Sequence, residues 1–290
     1  MDKSRKKTSI LSAERLVQLS QLFSNKSWEI ENDDPDLPSL FNRFCILLSE
    51  LSEPQQLLVL ELTERFTRIT SDQYKVHIKK ILDHLSNDPK LNLTQIKTIY
   101  IAPLIAPEDI GKSKSSTFVQ YLFTEQFHYI SHFADKNVRF VNGLEADSSE
   151  INNEQALLIV VDDFIGTGDT ACSALNYLLE TKKISTDKII VASIVALSQG
   201  IQKIIESGVH VIVSLTLNKG ISEHYPITDI SSKIEIMETI ESQIKVHRNE
   251  KLGYGKSEAL VSMIRTPNNT FPVFWKEKKG RVAPFPRKNL

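Results

Sequence analysis

Apolar residues in the first 90 positions recur at helical spacing. Leu11, Leu16, Val17, Leu19, Leu22 and Phe23 fall on one stripe, and Leu40, Phe41, Phe44, Leu47, Leu48 and Leu51 on another. Ser52 and Gln55 have capping-box spacing with Pro54 in the first turn, and Leu57, Leu58, Leu62, Phe66 and Ile69 follow. Ser71 is placed to cap a fourth helix that carries Tyr74, Ile78, Ile81, Leu82 and Leu85. Near Leu93 the pattern changes. Short continuous apolar runs (98–102, 138–141, 157–161, 189–197 and 209–217) alternate with helical stretches at 115–133, 170–182 and 199–207. Continuous rather than alternating runs indicate parallel strands covered on both faces. The fold class expected is therefore α/β, a parallel sheet of about five strands. The tail predicts a helix over about 230–247, then a hairpin of 260–264 and 271–275 around Thr266–Thr270. Three segments follow: a helical region 1–92, a sheet core 93–220 and a C-terminal cap 221–290.

Composition narrows the class. The 290 residues carry 35 Lys and Arg against 36 Asp and Glu, a net charge of −1, so no basic excess marks a nucleic-acid coat. Basic residues gather only at the ends, with Lys3, Arg5, Lys6 and Lys7 in front and Lys276, Lys278, Lys279, Arg281, Arg287 and Lys288 behind. They read as solvated tails, or as a contact for nucleic acid or an acidic partner. Two distant cysteines, Cys45 and Cys172, form neither a disulfide framework nor a zinc set. No apolar run approaches the ~20 residues of a membrane helix. A soluble cytoplasmic protein with no membrane contact is expected.

The chemistry concentrates in Leu157–Thr170. Five apolar residues run into Asp162-Asp163-Phe164-Ile165, then Gly166-Thr167-Gly168-Asp169-Thr170, then a helix. Ligands bind at the C-terminal ends of strands in open α/β sheets. Only ten glycines occur in the chain, and two stand within three residues here. Glycines let backbone N–H groups converge, threonines add hydroxyls, and a helix N-terminus favours an anion, so Gly166, Thr167, Gly168, Asp169 and Thr170 form a candidate phosphate cradle. The paired acids suit neighbouring hydroxyls, or a metal held by those hydroxyls. A vicinal diol beside a phosphate describes a ribose 5-phosphate.

This segment resembles the phosphoribosyl-pyrophosphate motif of type I phosphoribosyltransferases. The resemblance implies that Asp162 and Asp163 act on the ribose, with Mg2+ bridging them indirectly through the ligand, and that phosphoribosyl pyrophosphate or a nucleotide is bound. A weaker element of the family, the pyrophosphate loop, falls on Gly111-Lys112-Ser113-Lys114-Ser115-Ser116, with Lys112, Ser113 and Lys114 as its donors. The overlapping run from Ala106 to Ser113 has P-loop spacing without its first glycine, and its acids suit phosphate poorly. Phe164 and Ile165, with Phe271 and Trp275, are candidates for a base pocket. Gly166 stands where hypoxanthine–guanine enzymes carry an acid, which argues against 6-oxopurine salvage. The helical front departs from the salvage enzymes, and the runs from Gly253 to Leu260 and from Thr266 to Trp275 resemble the tail of divergent members attached to prokaryotic conflict systems, retron toxin modules among them. That likeness implies an antiphage effector with defence-system partners and associated nucleic acid, compatible with an oligomer. A nucleotide-sensing regulator and a docking module remain as alternatives. Glu125, His128 and His132 share a helix face without a second set to complete a metal site, His77 and His84 read as surface or core-edge residues, and Cys172 reads as packing.

Overall fold

A computed structural model describes residues 11–34, 36–112, 114–142, 145–277 and 280–287. The chain opens with α1 (Ala13–Asn25), α2 (Leu40–Ser49) and α3 (Glu53–Glu64), with Ser12, Ser39 and Ser52 at their N-caps. The Ser52 N–H donates to Gln55 Oε1, as the capping-box spacing requires. A two-residue strand β1 (Thr67–Arg68) precedes α4 (Ser71–Ser86). The cap of α4 is Thr70 rather than Ser71, because Gln73 sits three residues on and accepts from the Thr70 N–H. Then come β2 (Thr98–Pro103), α5 (Ser115–Phe127), β3 (Asn137–Phe140), a single turn α6 (Ser148–Ile151) and β4 (Ala156–Ile165). The remaining elements are α7 (Asp169–Asn176), β5 (Ile189–Leu197), α8 (Ser198–Glu206), β6 (His210–Leu217), α9 (Ile227–Gln243) and β7 (Val261–Ser262).

These elements form two compact units, residues 69–218 and residues 1–68 with 219–290. The three sequential segments of the sequence reading are thus regrouped. The fourth helix joins the sheet unit, where Tyr74, Ile78, Ile81, Leu82 and Leu85 are buried. The two ends of the chain share one core.

The sheet unit is a five-stranded parallel sheet in the order β3-β2-β4-β5-β6. All nine residues of β5 are buried, as are the first six of β4. That burial is the reason their sequences are apolar without alternation. Helices α4 and α5 pack on one set of strands. Leu158 and Val160 pack with Ala171, Ala174 and Leu175 of α7 and Ile204 of α8. The edge strand β3 is short and largely exposed.

In the other unit Phe23, Phe44, Phe66, Phe274 and Phe285 meet in one cluster, and the rings of Phe66 and Phe285 stack at 4.6 Å. The expected C-terminal hairpin does not form. β7 pairs in parallel with β1, and 272–274 is a 3-10 turn begun by Pro272, whose fixed φ and missing N–H suit a turn better than a ladder. Gly253, at φ +79°, is required by close packing: a Cβ there would lie 1.9 Å from the Asn269 carbonyl oxygen. Gly253 therefore belongs to a loop-to-loop contact within this unit. Among the described residues no helix is long and apolar enough to cross a membrane.

Candidate functional site

The site grows from the C-terminal end of β4, the middle strand of the sheet. Consecutive strand residues face opposite ways. Asp162 is half-buried, whereas Asp163 is 5% exposed. Asp163 is held by two hydroxyls: Tyr74 Oη of α4 donates to Oδ2 at 2.9 Å, and Ser115 Oγ at the start of α5 donates to Oδ1 at 2.7 Å. The Asp163 N–H donates to Asp162 Oδ1 at 2.9 Å. Burial, then the neighbouring Asp163 carboxylate, push the Asp162 carboxyl well above the usual range, and the Lys114 ammonium pulls the other way.

The loop after β4 turns sharply into α7. Gly168 is its N-cap at φ +83°, a left-handed conformation that side chains with a Cβ disfavour, and the Cys172 N–H closes the first helical turn on the Gly168 carbonyl at 2.8 Å. Asp169 at the first helical position accepts from Thr167 Oγ1 at 2.8 Å and from Lys203 Nζ of α8 at 2.7 Å. Lys203 and then Thr167 hold its carboxyl below the usual range. Thr170 is exposed on the same turn. Gly200 also supports the loop. It lies inside α8, where a Cβ would fall 2.5 Å from the Gly166 carbonyl oxygen and 2.9 Å from Ile165 Cγ2. The loop thus rests directly on the backbone of α8.

The weaker candidate loop follows β2. Lys112 and Lys114 each donate to Asp109 at 2.6 Å, one to each carboxylate oxygen, and they hold Asp109 below the usual range. Both lysines expected at pyrophosphate are therefore paired within their own loop. Ser113 lies outside the described residues. Ser173 Oγ of α7 donates to Glu108 at 3.2 Å, which ties this loop to α7.

Of the base-pocket candidates, Phe164 is half-buried and Ile165 is buried beneath Gly200. Phe271 is fully buried and Trp275 nearly so, both in the other unit, where Trp275 Nε1 donates to the Thr270 carbonyl at 2.7 Å. They are core side chains rather than the lining of an open pocket. Glu125 pairs with Lys75 at 2.8 Å, and burial raises the Cys172 thiol, the opposite of a reactive thiolate. Among the described residues no three acids, histidines or cysteines gather to hold a metal by side chains alone.

Tyr74, Gly200 and Lys203 escaped the sequence reading. Gly200 and Lys203 carried a faint signal, a glycine and a lysine three apart on one helix face just after a buried strand. Tyr74 carried none, since an aromatic on an apolar stripe reads as core.

Similar solved structures include the adenine phosphoribosyltransferase of Giardia lamblia complexed with 9-deazaadenine, at 11% identity over 50% of this chain and 79% of that one, with a TM-score of 0.34. The orotate phosphoribosyltransferase of Aeropyrum pernix aligns at 12% identity over 60% and 77%, TM-score 0.32. A hypothetical protein of Neisseria gonorrhoeae with bound ppGpp aligns at 15% over 60% and 97%, TM-score 0.36. Among curated proteins no similar sequence is found. The model of the PRTase-CE family matches residues 48–287, so the chain belongs to that family and has a phosphoribosyltransferase-like fold.

Proposed function

We propose that this member of the PRTase-CE family binds phosphoribosyl pyrophosphate, or a related ribosyl phosphate, at the β4–α7 junction and transfers or cleaves at C1 of the ribose. The observation that carries the reading is the half-buried Asp162 at the end of the middle strand, followed at once by a glycine loop that opens the N-terminus of α7. That sequence of parts puts a carboxylate for ribose hydroxyls next to converging N–H groups for a 5-phosphate. As the C1–O bond to pyrophosphate breaks, its electron pair leaves with the pyrophosphate and positive charge develops at C1. The nearby carboxylates favour that charge, and Lys112 and Lys114, released from Asp109, would neutralise the leaving group. Asp162 would hold magnesium indirectly, through the ligand's oxygens, and the metal would supply positive charge to offset that of the leaving pyrophosphate. Among the described residues no side chain stands out as a general base, and C1 is taken up by a nucleophilic acceptor, or by water in the case of cleavage.

A second reading, a nucleotide sensor, is favoured by Asp109, which occupies both lysines of the pyrophosphate loop. The biological setting we propose is an antiphage effector of the retron kind, resting on the resemblance of the C-terminal run. The test combines phosphoribosyl pyrophosphate, magnesium and a pool of bases and nucleotides with the protein, and follows binding and pyrophosphate release. Binding and release that Asp162→Asn weakens at least tenfold in a folded protein support an enzyme. Binding without release supports the sensor. No binding rejects both.

A further inference from the structure

Two adjacent acids at the end of a strand cannot share one job without bending the backbone, because the pleat sends their side chains to opposite faces. Asp163 points toward the face where α5 packs, and both its oxygens are taken by Tyr74 Oη and Ser115 Oγ. Tyr74 is 1% exposed. Burying a phenol and a carboxylate together requires that each satisfy the other, and a hydrogen bond to a charged group is stronger than a neutral one. The contact therefore fixes the direction of Asp163. Through its N–H, Asp163 also fixes Asp162 Oδ1. The Lys114 ammonium, itself paired to Asp109, lies near enough to favour the charged form of Asp162.

We propose that Tyr74 and Ser115 are positioning residues of the ribose site, which act through Asp163 so that Asp162 is the acid that meets the ribose hydroxyls. This deepens the ribosyl-phosphate reading and rests on it. It divides the acid pair into a contact residue and an anchor. It also gives α4, which carries no recognisable chemistry in the sequence, a role in ligand affinity.

The test is a double-mutant cycle on the full chain, with ribose 5-phosphate and magnesium as the probe and calorimetric affinity as the readout. Tyr74→Phe removes one hydroxyl and keeps the ring. It should weaken binding by roughly three- to tenfold in the unmodified background. In the Asp162→Asn background the same change should have no further effect on affinity, while its effect on the thermal midpoint stays the same in both backgrounds. A merely structural hydroxyl would weaken binding by the same factor in both backgrounds, or in neither, and either result overturns the proposal. Ser115→Ala, at an exposed helix start, repeats the cycle if Tyr74→Phe does not fold. If the unmodified chain binds no ribose 5-phosphate, the ribosyl-phosphate reading fails and takes this inference with it. If it binds and the cycle is additive, only this inference fails.

Discussion

Asp169 shows what a single residue can decide. It sits at the mouth of the proposed phosphate loop, where a like charge would oppose a phosphate, yet Lys203 and Thr167 both donate to it. The ion pair is half-exposed on both sides, and pairs of that kind contribute ~0–1 kcal/mol to stability. Asp169→Asn should therefore leave the thermal midpoint nearly unchanged and release Lys203 toward a bound phosphate. Ribose 5-phosphate affinity should rise a few-fold, about the effect of ~1 kcal/mol, in a calorimetric titration; weaker binding would show that Asp169 itself helps the ligand. Glu241 of α9 poses a different problem. It is fully buried, both its oxygens accept from the Leu252 N–H, at 2.9 and 3.0 Å, and burial raises its carboxyl to about 8. A raised carboxyl favours the folded state when protonated, so its contribution is full below the unfolded pKa of ~4.3. That contribution declines as pH rises toward 8 and is lost beyond it. Glu241→Gln stays neutral and can still accept from Leu252. Its thermal midpoint should match the unmodified chain at pH 4 and exceed it at pH 9, by the equivalent of ~1–3 kcal/mol; no gain at pH 9 would reject this account.

At the scale of elements, the sheet was legible because its physics is local. Runs such as Ile189–Leu197 are apolar on both faces, and all five strands stand where such runs occur. The β4 acids and the glycine loop were legible for the same reason, being contiguous in sequence. The β1–β7 pair was not legible, since two residues at each end of a long separation leave no periodic trace. Nor was the support of the loop by α8, which depends on backbone approach. Gly200 makes that support testable. An added Cβ would meet the Gly166 carbonyl oxygen at 2.5 Å, a backbone atom that cannot swing aside as the end of a flexible side chain can. Gly200→Ala should cost about 1–3 kcal/mol in stability, in the range of overpacked cores. It should also weaken ribose 5-phosphate binding at least tenfold, the loss expected for ~1.4 kcal/mol or more. Unchanged affinity would show that the loop does not depend on α8.

For the whole molecule, the division into two units cuts across the order of the chain. The helical front looked like a separate region because helical spacing says which face is buried but not what covers it. In the structure Phe23, Phe44 and Phe66 share a core with Phe274 and Phe285 from the far end, while α4 joins the sheet and brings Tyr74 to Asp163. Long-range pairings of this kind are invisible to periodicity. The functional claim rests on the sheet unit alone, on Asp162 and the loop that follows it. The most direct measurement is a titration of phosphoribosyl pyrophosphate with magnesium into the unmodified chain and into Asp162→Asn. Saturable binding that the substitution weakens at least tenfold, with the thermal midpoint of the free protein preserved, is the result predicted for a carboxylate worth ~1.4 kcal/mol or more to the ligand. Equal affinity in the two proteins, or no binding to either, would contradict it.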